Sequence, residues 1–193
     1  MKEIKVTYKQ SLASSQRGKK MSRFIILIML LLALVGANTP VYSQTYEQAR
    51  IKQIEKALST KDGALIKKAV VKYSEMYKIE PAFVYAVIMT ESSFNKNAVS
   101  SHGCSGLMQL APTTFKARNV GSNVFDIEQN IHAGVKHVAG LRDRYKGSLV
   151  HATAAYNMGG GRVALGKPIP AVGKKYVDRV YYHKKIIVAW LTQ

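Results

Sequence analysis

Residues 81–94 read PAFVYAVIMTESSF. Proline suits the first turn of a helix, where its missing N–H is not needed. The run behind it predicts a helix whose Val84, Val87, Ile88 and Glu91 fall at i, i+3, i+4 and i+7, on one face. An acid therefore stands on an apolar stripe. Burial against Val87 and Ile88 disfavours the charged carboxylate, and so does the negative end of the helix dipole, because Ser93 and Asn95 signal the helix end. Both effects push the Glu91 pKa up, toward what a general acid needs. The alternative is that the helix reaches the surface by residue 91 and leaves Glu91 solvated.

A glycosidase of the usual kind places a second carboxylate within about 5–10 Å of the first. Between Glu91 and Asp126 lie 34 residues without a single Asp or Glu. Either Glu91 is not a glycosidase acid, or the substrate supplies the missing nucleophile, as in the substrate-assisted exceptions.

The flanking sequence is helical throughout. Ile51, Ile54, Ala57 and Leu58 are spaced for one amphipathic helix, and Leu65, Ala69, Tyr73, Met76 and Tyr77 for a second. After Glu91, Gly103 and Gly106 mark a turn, and Pro112 opens a short helix to about Arg118. Asp126 with Gln129 resembles a capping box ahead of the stripe Ile127, Ile131, Val135, Val138 and Leu141. Ser148 caps a helix bearing Leu149, Ala152 and Tyr156, which Gly159, Gly160 and Gly161 end. A final helix runs from about Lys174 to Leu191. No segment alternates as a strand does, so the expected fold is all-α, a single domain of six to eight helices.

Residues 1–43 form a separate object. Phe24 to Val35 is an unbroken apolar run, too short for a spanning helix of about 20 residues. Basic residues precede it and small ones follow, the order of a secretory signal peptide, cleaved after Ala37 or, preferably, Ser43. An uncleaved signal anchor is the alternative, and Met21 is an alternative start. The expected organisation is residues 1–43 for export, 44–74 for N-terminal helices and 75–193 for a catalytic domain, working outside the cytoplasm in the periplasm.

The chain carries 29 Lys and Arg against 11 Asp and Glu, a formal charge of +18. Without residues 1–43 the balance is 22 against 10, still strongly basic. An anionic partner follows, and for an exported domain that partner is cell-wall polymer rather than nucleic acid. The lone Cys104 excludes an intrachain disulfide and a Cys-based zinc cluster. The histidines form no HExxH, and no metal or cofactor is expected. Gly161 to Pro168 (GRVALGKP) nearly matches a P-loop, but Pro168 replaces the Ser or Thr that would hold magnesium, and a helix rather than a strand precedes it.

Three motifs complete the reading: Glu91-Ser92-Ser93-Phe94-Asn95 followed by Ser100, then Gly106-Leu107-Met108-Gln109-Leu110, then Ala155-Tyr156-Asn157. In this order and spacing they resemble the soluble lytic transglycosylase family, over roughly residues 75–190. The resemblance implies a goose-type-lysozyme-like helical fold and a peptidoglycan substrate. It implies that Glu91 protonates the oxygen linking N-acetylmuramic acid to N-acetylglucosamine, that the substrate's N-acetyl group stabilises C1, and that Glu91 then deprotonates the C6 hydroxyl to give a 1,6-anhydro end. Ser100, Gln109 and Asn157 match sugar-contacting or cleft residues of the family. Tyr156 matches the tyrosine whose hydroxyl supports the acid. Ser92, Gly106 and Met108 are expected to support the site.

The sequence departs from the family at Ala111, where many relatives carry a sugar-packing methionine, at Cys104 and at Met158. The rival readings are a hydrolytic lysozyme of the same fold and a non-catalytic wall-binding scaffold. By analogy, the family also points to partners in an envelope-spanning secretion, conjugation or pilus machine.

Overall fold

The computed structural model describes the backbone of residues 41–193 and side chains from residue 44 onward. The export segment expected over residues 1–43 lies outside these, apart from the start of the first helix. No described helix is long and apolar enough to cross a membrane.

Seven helices are present among the described residues: α1 (Val41–Leu58), α2 (Lys61–Tyr77), α3 (Pro81–Ser92), α4 (Pro112–Arg118), α5 (Ile127–Arg144), α6 (Leu149–Met158) and α7 (Ala171–Leu191). Their ends follow local chemistry. Thr60 accepts a hydrogen bond from the Gly63 N–H at the start of α2, and Ser148 caps α6. Proline sits in the first turn of both α3 and α4. Asp126 caps α5 by accepting from the Gln129 N–H. Only half of the expected capping box forms, because the Gln129 side chain accepts instead from the Asn123 N–H.

Helix α3 is the centre of the molecule. The expectation of one apolar stripe understates it, because every residue from Ala82 to Met89 is buried. A helix apolar all round has to be enclosed by others. α7 covers it most extensively, and α2 also packs on it. Trp190 closes one end of the core, its ring edge-on to Tyr85 at 6.0 Å. α5 packs on α2, and α6 sits between α5 and α7.

Two expected core residues of α2 are displaced. Leu65 and Met76 are about half exposed, while Ile66, Val70 and Ser74 take the buried positions. The buried face is thus rotated from the expected one. Ile51, Ile54 and Leu58 of α1 join the same core as α3 and α7, so the N-terminal helices share a core with the catalytic segment.

The turn after α3 is held by a buried residue that the sequence reading missed. Asn130 of α5 accepts from the Met108 N–H at 2.8 Å and donates to the carbonyls of Ser105 and Val124 at 3.1 and 2.8 Å. A side chain on Gly106 would strike the Asn130 amide, and its φ of 81° is itself unfavourable for other residues. Gly134, one turn after Asn130, leaves room for the Met108 sulfur. Replacing Asn130 by alanine is expected to cost about 3 kcal/mol, because buried backbone groups lose their partners. Thermal denaturation should show the midpoint falling by about 6–12 °C.

Candidate active site

Glu91 lies in the last turn of α3, which ends as Ser93 adopts a left-handed conformation. Its carboxyl is largely enclosed, and burial pushes its pKa above the ordinary carboxylate value. Two neighbours oppose that shift. The Tyr176 hydroxyl donates a short hydrogen bond to Glu91 Oε1, and the Arg179 guanidinium favours the charged form. The charged side chain acting on Glu91 is therefore a cation, with no second carboxylate among the described residues that perturb it.

The support of Glu91 falls to a different tyrosine from the one expected. Tyr156 instead donates to the Met108 carbonyl at 2.7 Å. Burial first, and then the nearby Glu91, push its phenol pKa well above the ordinary value. Tyr176 takes the supporting role because α7, not α6, packs along α3. A signal was present in the sequence. Tyr176, Val180, His183 and Ile187 recur at helical spacing and form the buried face of α7. A polar-tipped aromatic on that face mirrors Glu91 on α3.

Three helices converge on the dipeptide Leu107–Met108. Ser92 of α3 donates to the Leu107 carbonyl at 2.8 Å. Tyr156 of α6 holds the Met108 carbonyl, and Asn130 of α5 the Met108 N–H. Short antiparallel bridges at Val99–Ser105 and Ser105–Leu110 stiffen the same turn. Of the residues expected to support the site, Ser92 braces this loop, while Gly106 and Met108 are part of the loop that is braced.

The expected sugar contacts sit around this turn. Gln109 has φ of 45°, and its amide nitrogen donates to the carbonyls of Ala98 and Gly106, both at 3.0 Å. Both of its N–H donors are thereby used within the loop, which leaves Oε1 as the side-chain atom open to a further bond. Ser100 Oγ accepts from the Cys104 N–H at 3.1 Å, which keeps its own hydrogen available. Asn157 is exposed beside Tyr156 in the last turn of α6.

Two histidines stand near the acid and are held neutral. Burial pulls His183 down to about 4, and its Nδ1 lies 2.8 Å from Thr90 Oγ1. That hydroxyl donates to Ala86 O, so the imidazole N–H is the donor to it. His137, 5.3 Å from the Tyr156 ring, is likewise pulled to about 4 by burial and by Arg118. Among the described residues, no group of His, Cys, Asp and Glu is placed to hold a metal.

The transglycosylase SLT domain model matches residues 68–170, a span that contains Glu91, the braced turn and Tyr156. The chain belongs to this family. The SLT region is 39% identical over 107 residues to the transglycosylase of Enterobacteria phage PRD1, covering 55% of this chain and 38% of that protein. It is 37% identical over 109 residues to membrane-bound lytic murein transglycosylase C of Serratia proteamaculans, covering 48% and 30%. The SLT fold also resembles lytic transglycosylase Slt of Pseudomonas aeruginosa, solved as an inactive Glu-to-Gln mutant. That match has a TM-score of 0.59 and 25% identity over 64% of this chain and 24% of that one. The chain thus spans about a third of the length of these curated relatives. The fold is all-helical and lysozyme-like, as that of the soluble lytic transglycosylases is.

The electrostatics of Glu91 make a signed prediction. In the unfolded chain its pKa returns to about 4.5, below the folded value, so the folded state holds an extra proton between the two. Stability contributed by Glu91 is therefore lost as pH rises through that window. Glu91→Gln should raise the melting temperature at pH 7, with the gain vanishing below pH 4. Tyr176→Phe removes a hydrogen bond to the carboxylate and should move the Glu91 titration, followed by carbon-13 NMR, further up.

Proposed function

We propose that the protein is a peptidoglycan lytic transglycosylase, cleaving the β-1,4 bond from N-acetylmuramic acid to N-acetylglucosamine and leaving a 1,6-anhydro end. The observation that carries this reading is one buried carboxyl, poised by Tyr176, with a cation rather than a second acid beside it. Among the described residues no second acid acts on Glu91, which speaks against a two-carboxylate hydrolase. A mechanism in which one acid serves twice does not need it.

Burial favours the protonated form of Glu91, the form that donates to the bridging oxygen. As that bond breaks, the substrate's acetamido oxygen stabilises C1. Glu91 is now a carboxylate, and the Tyr176 hydroxyl stabilises it in that state. It then accepts the proton of the muramic C6 hydroxyl as that oxygen bonds to C1 and displaces the acetamido oxygen. Glu91 ends protonated, and no water is consumed.

Around this acid, Ser100, Gln109, Tyr156 and Asn157 are assigned to the sugar chain. Gln109 would accept through Oε1, and Ser100 would donate through its hydroxyl, given the bonds each already makes. A peptidoglycan substrate places the work outside the cytoplasm, in line with the basic, apolar and small-residue order of residues 17–43. Local opening of the wall for a secretion, conjugation or pilus machine extends the reading by analogy with the family.

Digestion of purified cell wall with mass analysis of the fragments tests the proposal. New ends lighter by one water than hydrolysed ends are expected. Hydrated ends would mean a lysozyme, and the absence of fragments a wall-binding scaffold. Glu91→Gln should lower kcat by at least about a thousandfold while keeping the helical fold.

A further inference from the structure

Helix α7 passes the acid with two kinds of side chain. Tyr176 and His183 turn inward, toward Glu91 and Thr90. Lys175 and Arg179, four residues apart and so neighbours on the helix surface, lie exposed beside them. The Arg179 guanidinium carbon is 5.8 Å from the centre of the Tyr176 ring, and its charge acts on Glu91, Tyr176 and His183 alike. It therefore stands at the solvent edge of the site.

Neither cation is held in an ion pair, although the Arg179 charge reaches Glu91. Among the described residues, Lys184 and Lys185 of the same helix pair with Glu80 and Glu47, whereas Lys175 and Arg179 make no ion pair. The surrounding chain does not neutralise them either. From residue 144 to residue 179 it carries Arg144, Lys146, Arg162, Lys167, Lys174, Lys175 and Arg179 against a single acid, the exposed Asp178, so the segment keeps a strong positive excess. Charges left unpaired at the mouth of a site raise the local concentration of anions there.

Resting on the transglycosylase reading for the substrate, we propose that Lys175 and Arg179 form a rim that binds the carboxylates of the stem peptides, so that the enzyme selects peptide-bearing glycan by its charge. A guanidinium meets a carboxylate through two parallel N–H donors, and an ammonium one turn away adds a point charge. The sugar chain lies along Glu91 and the braced turn, and the peptide leaves it across α7. Arg179 contacts substrate away from the reacting atoms, as a specificity residue.

The test is a cycle of two proteins and two substrates. Wild-type chain and a Lys175→Gln, Arg179→Gln double variant are each assayed on purified peptidoglycan with its native stem carboxylates and on the same material with those carboxylates converted to amides. Both kcat/KM and sedimentation binding are measured, and circular dichroism checks the fold of the variant. Wild type should prefer the native substrate about fivefold, chiefly through KM, and the variant should treat the two alike. A wild type indifferent to amidation, or a variant that keeps the preference, would overturn the rim. A wild type that binds native wall preferentially but cleaves neither substrate would support the rim and defeat the transglycosylase reading.

Discussion

Taking one carboxyl out of water organises this molecule. A charged carboxylate is costly in an apolar setting, and Glu91 sits at the end of a helix that is buried on every side. The surrounding structure moderates that cost without removing it. Tyr176 gives one hydrogen bond to the carboxyl, and Arg179 adds a positive charge from the solvent edge. Burial thus raises the Glu91 pKa while Tyr176 and Arg179 pull it back, an opposition that suits a residue proposed to act first as acid and then as base.

The same arrangement explains why so much of the fold serves a short loop. The acid is useful only if the substrate is held against it to within fractions of an ångström. Ser92, Asn130 and Tyr156, from three helices, fix the backbone of Leu107 and Met108. Gly106 and Gly134 are small so that this turn and α5 can meet. The loop thereby takes on the rigidity of the helices behind it.

Much of this was legible in the sequence, and the gaps have physical causes. Helix existence followed from apolar spacing and caps, and the ends of α4 and α6 fell where Pro112 and the glycines after Met158 put them. The face of α2 was misjudged because Leu65 and Met76 are apolar yet outward, and spacing alone cannot separate adjacent faces of a helix. Glu91 was visible as an acid in the wrong place. Tyr176 showed only as a polar-tipped aromatic at helical spacing on α7, because its partner lies 85 residues away and local pattern does not tell which helix packs across α3. Asn130 was hidden for a similar reason. It is a polar residue on the buried face of an amphipathic helix, and its purpose is apparent only once the Met108 turn lies beside it.

In the proposed reaction a single carboxyl completes the cleavage with the substrate's own hydroxyl in place of water. Cleavage of purified glycan in water labelled with heavy oxygen tests it most directly. The new muramic ends should carry no label. Incorporation of heavy oxygen at C1 of those ends would contradict it, because a water molecule would then have done what the C6 hydroxyl is held to do.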